Sequence, residues 1–454
     1  MTKPTIVILL LSCLAMISCS RGRMVSRPLT EEEMQIPPGR SESGIDLYHT
    51  SAIDLPSFPE EPVLEWTYES NWDARNLLLD GEDGMWFATG DPSGCYSSNT
   101  VARLDPYGNV DWERALLPPG TSADTTLSEI ADKGITWSMV DPLIACSGAV
   151  ICSCSRSREK EPDSHVVLDS YLECVDIDGE TRWRTEHIDR WFHYTSRIDA
   201  ESLTIVNGAN SFGIYSISTG ERLHEYEFDR NLPDLTFPQV MSVADSWICF
   251  LKDPADNYSV CRYSSSMNLE WEHSLGESGR IEAYALDENA LLVNTTLPFR
   301  RTTRLLKLDL TDGSVLWDRL DKALVSGVTP DGGCFLSRGE VRENVNVALI
   351  GPEGSELWSL ELNTHSYPGR APVMFNDNSI LIGYRWGISQ LNPDGTIRWT
   401  IDLDDMGVAD RSMYREGFES WELAPTSDGG LVAAGSMNTH PADYTTIFKF
   451  APAS

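Results

Sequence analysis

Residue types that carry catalytic or metal-binding chemistry are sparse in this chain. Only 8 histidines occur, and no H-E-x-x-H, G-x-S-x-G or phosphate-binding glycine loop is present. Asp176-x-Asp178-Gly179 begins like a calcium loop, but the later ligands at the required spacing are missing, which indicates an ordinary turn. The sequence therefore predicts no catalytic residue, no metal site and no cofactor.

The 10 cysteines include no C-x-x-C pair of the kind that binds zinc. Cys249 and Cys261 flank a short loop and should lie on adjacent strands, so they could form a disulfide or remain buried free thiols. Cys152 and Cys154 should share one face of a strand, from which they could reach Cys174.

The composition excludes one class of partner. Asp and Glu number 69 against 35 Lys and Arg, which gives a net charge of −34 over 454 residues. So acidic a surface repels phosphate backbones and excludes nucleic acid, and it disfavours electrostatic docking on anionic lipid. With 41% hydrophobic residues, the chain still has enough apolar material for a sizeable core.

The N-terminus predicts an export signal. Residues 6–17 form a 12-residue apolar run after Lys3, which suits a signal peptide and is too short to span a bilayer. The run leads into Cys19 and resembles a bacterial lipoprotein signal, with residues 1–18 removed and Cys19 lipidated; simple cleavage is the alternative. Residues 19–62 are polar and rich in Ser, Pro and Glu, and predict a flexible tether. The predicted location is extracytoplasmic, at the outer membrane, with the lipid as the only membrane contact.

The rest of the chain is a repeat. A glycine stands four residues before a tryptophan in five segments, two degenerate copies keep one of these two residues, and an eighth, partial copy keeps only its tryptophan, at position 66. The glycines are Gly108, Gly179, Gly313, Gly354 and Gly395, with Gly220 in a degenerate copy; the tryptophans are Trp66, Trp112, Trp183, Trp271, Trp317, Trp358 and Trp399. His224 takes the place of one tryptophan, and Met267 that of one glycine.

Each copy predicts a β-hairpin, and the spacing predicts propeller blades. Asn392-Pro393-Asp394-Gly395 presets a type I turn, with glycine accepting the positive φ that follows. A second tight turn recurs upstream of each copy, so a unit of about 48 residues holds about four strands. The C-terminal segment lacks a fourth strand and residues 63–68 supply one, so pairing of the two termini would close a ring and remove two sheet edges. The prediction is an all-β, eight-bladed β-propeller of four-stranded antiparallel blades over residues 63–454.

The repeat frame and the signal resemble the quinoprotein-type (PQQ-like) eight-bladed β-propellers, and in size and anchoring they resemble the lipoprotein propellers of the outer-membrane β-barrel assembly machinery. The resemblance implies that the seven repeated tryptophans are structural and pack between neighbouring blades. Quinoprotein dehydrogenases of this fold carry two adjacent bridged cysteines and a calcium ion beside the cofactor. This chain has no adjacent cysteines.

Connection lengths predict which face binds partners. All the tight glycine turns are expected to lie on one face, and the long segments, including 117–140 and 403–424, on the other. Loops that carry function are positioned by a rigid scaffold, and aromatic and Arg residues dominate binding hot spots. The binding-face candidates are Trp191, Phe192, His193, Tyr194, Arg300, Arg301, His365, Tyr367, Arg370, Tyr414 and Trp421.

Two functions remain open from the sequence. The favoured one is a non-catalytic, lipid-anchored scaffold of the bacterial envelope that binds a protein or an envelope polymer. The alternative is an enzyme, either quinone-dependent or acting on polysaccharide, that uses the central funnel. The missing adjacent cysteines and catalytic motifs favour the scaffold.

Overall fold

The repeated glycine turns close hairpins through one local device. In the turn of residues 105–109, Asp105 Oδ1 accepts the amide hydrogens of Tyr107 and Asn109 at 2.9 and 2.8 Å. Gly108 has a φ of 83°, a left-handed conformation that costs glycine little. Gly179, Gly354 and Gly395 have φ values of 80–83° in the equivalent turns. Each turn therefore reverses the chain between two strands within five residues.

The computed structural model describes the following parts of the chain: 27–35, 52–53, 57–70, 74–90, 98–116, 137–161, 164–185, 195–206, 211–228, 239–243, 245–255, 257–277, 281–285, 289–296, 303–338, 345–362, 372–384, 386–402, 406, 420–439 and 442–452. The strands are β1 Ala52–Ile53, β2 Val63–Ser70, β3 Ala74–Leu79, β4 Met85–Gly90, β5 Ser98–Leu104, β6 Val110–Ala115, β7 Trp137–Cys146, β8 Ala149–Glu161, β9 Ser164–Asp176, β10 Thr181–Arg184, β11 Thr195–Arg197, β12 Ser202–Val206, β13 Ser211–Ser216, β14 Arg222–Glu227, β15 Gln239–Val243, β16 Ser246–Lys252, β17 Asn257–Ser264, β18 Leu269–Glu277, β19 Ile281–Ala285, β20 Ala290–Thr296, β21 Thr303–Asp309, β22 Val315–Asp321, β23 Ala323–Val328, β24 Cys334–Arg338, β25 Val345–Ile350, β26 Glu356–Leu362, β27 Val373–Phe375, β28 Ile380–Tyr384, β29 Gly387–Leu391, β30 Ile397–Asp402, β31 Ser420–Pro425, β32 Leu431–Thr439 and β33 Ala442–Ala451.

Eight antiparallel sheets follow one another along the chain, which confirms the predicted fold class. Blades 1 to 7 begin at β3, β7, β11, β15, β19, β23 and β27, and each takes the next three strands in order. Blade 8 consists of β31, β32, β33 and β2. Below, the four strands of a blade are called A to D in that order. Within the described residues, no helix has the length and apolar character that crossing a bilayer would require.

The two chain termini meet in blade 8, as predicted. β2 pairs antiparallel with β33, in a register that runs from Val63 opposite Ala451 to Ser70 opposite Thr445. The fourth strand of this blade therefore comes from the opposite end of the sequence. This pairing closes the ring and leaves no open blade edge at the junction of the termini.

The hydrophobic core lies between neighbouring blades. Because the middle strands are covered on both faces, they are buried almost continuously, as in β29, where all five residues are buried. The D strands are less buried, and their side chains alternate between exposed and half-buried. In β22, Trp317, Arg319 and Asp321 are half-buried between exposed neighbours. One core cluster joins Cys146, Ile151 and Trp183 of blade 2 to Leu203 and Tyr215 of blade 3.

Parts of the predicted tether pack against the propeller, which corrects the expectation of a flexible segment over residues 19–62. Leu29 and Met34 are 4% and 8% exposed and belong to the core cluster between blades 2 and 3. β1 pairs in parallel with β27, so it adds a fifth strand to the inner edge of blade 7. Phe58 is 5% exposed and packs on Phe375 and Trp399 of blade 7.

Candidate functional site: the two faces of the propeller

The strand order assigns every connection to one of two faces. The A–B and C–D connections form one face, here called the turn face, and none of them exceeds five residues. The B–C and blade-to-blade connections form the opposite face, here called the loop face. The longest connections lie there, between Ala115 and Trp137 and between Asp402 and Ser420. Loop length therefore distinguishes the two faces in the way the sequence predicts.

The predicted binding residues are almost all in loop-face connections. Ten of them fall outside the described residues, so the structure does not place their side chains. They are Trp191, Phe192, His193, Tyr194, Arg300, Arg301, His365, Tyr367, Arg370 and Tyr414. The eleventh, Trp421, is described.

The assignment of Trp421 to the binding face is wrong. Trp421 is the second residue of the A strand of blade 8, is 1% exposed, and its ring centre lies 5.9 Å from that of Phe448 at a tilt of 40°. Its Nε1 donates a hydrogen bond to the carbonyl oxygen of Tyr384 at 2.7 Å. A Cβ added at Gly383 of blade 7 would lie 2.5 Å from Cβ and Cγ of Trp421. The Trp421 side chain therefore fits against blade 7 only because this position is glycine. Trp421 therefore packs between blades 7 and 8, and its side chain is not accessible to a partner.

Six of the repeated tryptophans form a hydrogen bond to the turn face of the next blade. In each case the indole Nε1 donates to a backbone carbonyl within the next C–D turn, at 2.8–3.1 Å. The donor and acceptor pairs are Trp66 with Pro106, Trp112 with Ile177, Trp183 with Ile217, Trp271 with Leu310, Trp317 with Pro352, and Trp358 with Pro393. The glycine of the same turn lies against the indole ring, where an added Cβ would meet the ring at 3.0 Å or less.

Buried ion pairs also hold the turns in place. Arg103 is 6% exposed, and its Nη2 lies 2.7 Å from Asp80 Oδ2, while Nη1 contacts Asp111. The guanidinium also lies 5.6 Å from the ring centre of Trp86. Asp80 in turn accepts the amide hydrogens of Glu82 and Gly84. Because the side chains and amides of this turn are committed to internal bonds, the turn has little freedom to adapt to a partner.

A charged network joins blades 5 and 6. Asp321 accepts hydrogen bonds from Arg338 at 3.0 and 2.7 Å, and Arg338 also contacts Glu356 at 2.8 Å. Burial alone would raise the pKa of Asp321, but the hydrogen bonds and charge of Arg338 outweigh burial and lower it. The carboxylate therefore stays ionised and serves as an inter-blade clamp.

The carboxylate of Glu422, on the inner wall of the ring, has a structural role. Glu422, on the A strand of blade 8, accepts the amide hydrogens of Asn76 and Leu77 of blade 1 at 3.3 and 2.6 Å. Asn76 has a φ of 56°, and the register of β3 shifts between Arg75 and Leu78. Glu422 thus binds a bulge of the neighbouring blade, which leaves its carboxylate less available for catalysis at the funnel wall.

The cysteine geometry supports one expectation and corrects another. Cys249 and Cys261 lie directly opposite each other on β16 and β17, both buried as free thiols. Burial is the main cause that raises the pKa of Cys249. Cys174 lies in the cluster between blades 2 and 3, with Cys146, whereas Cys152 and Cys154 lie in the cluster between blades 1 and 2. The predicted approach of Cys152 or Cys154 to Cys174 is therefore wrong, because the sheet separates them.

The described residues do not fit the cofactor site of the quinoprotein dehydrogenases. They include no group of three His, Cys, Asp or Glu side chains placed to hold a metal ion. The sequence contains no adjacent cysteines, and Glu422 on the inner wall is already engaged by backbone amides.

Eight four-stranded blades closed by terminal strands give this chain the fold of the quinoprotein-type (PQQ-like) propellers, as the repeats predict. The chain is similar to the crystal structure of BamB from Moraxella catarrhalis, with 11% identity, a TM-score of 0.46, and coverage of 86% of this chain and 100% of that one. It is also similar to a europium-containing methanol dehydrogenase, with 11% identity, a TM-score of 0.50, and coverage of 92% and 99%. No protein-family model and no curated protein sequence matches the chain. At this level of identity the similarity concerns the fold.

Proposed function

We propose that this protein is a non-catalytic, lipid-anchored scaffold of the bacterial envelope, which binds a protein or an envelope polymer through its loop face. One observation carries the proposal, namely the contrast between the two faces. The turns of the opposite face are short and bonded to neighbouring blades, whereas the long connections with aromatic and Arg residues belong to the loop face. The lipid at Cys19 is the proposed membrane contact.

Anchoring is tested by metabolic labelling with a fatty-acid probe in the native cells. The wild-type protein should incorporate the probe, and Cys19→Ala should not. Equal labelling of both proteins would contradict the proposed site of lipidation.

Partner binding is tested by photocrosslinking in intact cells, followed by capture of the purified partner. Tyr194→Ala combined with Tyr414→Ala should weaken capture at least several-fold without changing the melting temperature. The matched control is Tyr107→Ala with Glu353→Ala on the turn face, where Tyr107 is 75% exposed. Loss of capture in the control pair, with normal capture by the first pair, would contradict the assignment of the binding face.

The enzyme alternative is supported only by the shared fold of the methanol dehydrogenase. Purified protein mixed with pyrroloquinoline quinone and calcium should show no bound chromophore after gel filtration. A stoichiometric bound chromophore would favour the enzyme over the scaffold.

A further inference from the structure

A short segment before the propeller, residues 27–35, lies across the turn face of blades 2 and 3, and is called the arm below. Leu29 donates its amide hydrogen to the carbonyl of Ser218 at 3.1 Å, in the C–D turn of blade 3. At its other end, the arm accepts amide hydrogens from Ser147 and Gly148, in the A–B turn of blade 2. The arm therefore runs over two blades from the outer turn of one to the inner turn of the other.

The arm is held by apolar burial as well as by backbone hydrogen bonds. Leu29 and Met34 insert into the core cluster between the two blades. Burial of such side chains contributes about 1.5–3 kcal/mol each. An added Cβ at Gly148 would lie 2.7 Å from Cγ of Glu33, so blade 2 accommodates the arm through the absence of a side chain there.

A capping box and an ion pair stabilise the arm further. Thr30 and Glu33 exchange hydrogen bonds between side chain and amide, at 2.8 and 3.2 Å. Arg182 of blade 2 bridges Glu33 at 2.6 Å and Asp176 at 2.5 Å. Burial alone would raise the pKa of Glu33, but the bonds from Thr30 and the charges of Arg182 and Arg27 outweigh it and lower the pKa.

From this packing we infer that the arm sets the orientation of the propeller on the membrane, with the turn face of blades 2 and 3 towards the bilayer and the loop face away from it. The inference rests on the proposed lipidation of Cys19. Arg27 lies eight residue steps after Cys19, and a fully extended chain of that length spans at most about 26–29 Å. Without the docked arm, the first described contact after Cys19 would be that of Ala52, 33 residue steps away; an extended chain of that length reaches about 110–120 Å and fixes no orientation.

The charge of the turn face indicates that the arm, rather than lipid attraction, holds this orientation. Exposed acidic residues stand on several of its turns: Asp178, Glu180, Asp312, Glu353 and Asp394. Carboxylates are repelled by anionic headgroups within a Debye length of about 8 Å. The turn face would therefore stand off from the bilayer, within the reach of the tether, while the loop face is presented to partners.

Energy transfer on vesicles tests the orientation independently of whether cells attach the lipid. Protein starting at Cys19, with Cys95→Ser, is coupled to a maleimide lipid at Cys19 and bound to phosphatidylcholine vesicles that carry an acceptor dye on their headgroups. All cysteines among the described residues are buried. A fluorescent amino acid replaces either Asp178 on the turn face or Ala255 on the loop face, both of which are exposed. Transfer from position 178 should be severalfold greater than from position 255.

Releasing the arm should abolish the difference between the two positions. Leu29→Asp with Met34→Asp removes the apolar contacts, and Thr30→Val with Glu33→Gln is a milder change that keeps side-chain size. Both variants keep the propeller, as circular dichroism should show, and their transfer from the two positions should become equal. Equal transfer in the wild-type arm, or a difference that persists in both variants, would overturn the inference. Absence of fatty-acid labelling at Cys19 in cells would instead overturn the anchoring proposal, whatever the vesicles show.

Discussion

The six regular blade junctions differ from the junction of blade 7 with blade 8, the blade in which the two termini pair. At a regular junction the tryptophan donates Nε1 to a carbonyl of the next C–D turn and packs on its glycine. At the junction with blade 7, blade 8 offers no covalent C–D turn, because its third and fourth strands belong to opposite ends of the chain. Trp399 Nε1 is buried and finds no acceptor among the described residues.

The N-terminal segment replaces the missing turn with its own contacts. Phe58 packs on Trp399, with ring centres 6.1 Å apart. Arg398 donates to Ser57 Oγ at 2.8 Å and to the carbonyl of Phe58 at 3.0 Å, and Ser57 also bonds Asp377. Because blade 8 has no covalent C–D turn, the N-terminal segment packs on Trp399 in its place.

The junction of blades 3 and 4 shows a third solution. His224 occupies the tryptophan position and is exposed, and Met267, with a φ of 60°, occupies the glycine position. Phe212 fills the space instead, with Trp247 at 5.1 Å and Phe228 at 5.7 Å. The frame can thus lose both of its characteristic residues where an aromatic cluster supplies the packing.

Deleting residues 63–70 should have the largest effect. The deletion removes the whole D strand of blade 8 and exposes the edge of β33. We expect aggregation, or loss of a single cooperative melting transition, measured by calorimetry and light scattering. An unchanged melting curve would show that the ring does not depend on terminal pairing.

Gly395→Ala should cost more than Gly429→Ala, although both glycines have a φ of 83°. Either change forces alanine into a left-handed conformation at about 1–2 kcal/mol. Only at Gly395 would the new Cβ meet an indole, 2.5 Å from Trp358, whereas at Gly429 the nearest atom is 3.9 Å away. Overpacking should add about 1–3 kcal/mol to the loss of unfolding free energy at Gly395. Equal losses in denaturant titrations would mean that regular junctions do not rely on the glycine.

Trp183→Phe should cost more than Trp399→Phe. The first change leaves the carbonyl of Ile217 without its donor, at about 1–3 kcal/mol, while the second removes an indole N–H that has no described acceptor. Both indoles are buried, so the loss of apolar area is similar. Chemical denaturation of the two variants gives the difference directly. A larger loss for Trp399→Phe would contradict the contrast between the junctions.

Docking of the arm should weaken in acid. Because the pKa of Glu33 in the folded protein is below its usual value of 4.5, its stabilising effect is present above that value and is lost as the pH falls through the folded pKa. Limited proteolysis of residues 27–35 should therefore accelerate below about pH 4.5. Glu33→Gln should be cleaved faster at neutral pH and depend less on pH in this range. A wild-type cleavage rate that does not change with pH would contradict the role of this ion pair.

The ring could be predicted from the sequence because its signals are local. A turn such as Asn392-Pro393-Asp394-Gly395 specifies its own geometry, and the spacing of Gly395 and Trp399 repeats in four other blades. The acceptor of each indole could not be predicted, since it depends on the rotation of one blade relative to the next. The burial of Trp421 could not be predicted for the same reason, because it depends on Gly383 in a different blade.

The docking of the arm could not be predicted either, although the sequence contains one signal of local order. Residues 19–62 have no apolar period, so composition predicts a tether. Thr30 and Glu33 nevertheless match the spacing of a capping box, which indicates a locally ordered turn. Where that turn docks could not be read from the sequence, because its partners Arg182 and Ser218 are about 150 and 190 residues away.

Hydrogen–deuterium exchange of the wild-type protein tests the closure of the ring most directly. If β2 is a full strand of blade 8, its amides that face β33 should be protected to the same degree as those of β26, which face β25 in a regular blade. We predict similar exchange rates for the two strands, and slower exchange than in the loop-face connections. Exchange of β2 at the rate of an unpaired segment, with β26 still protected, would contradict the account.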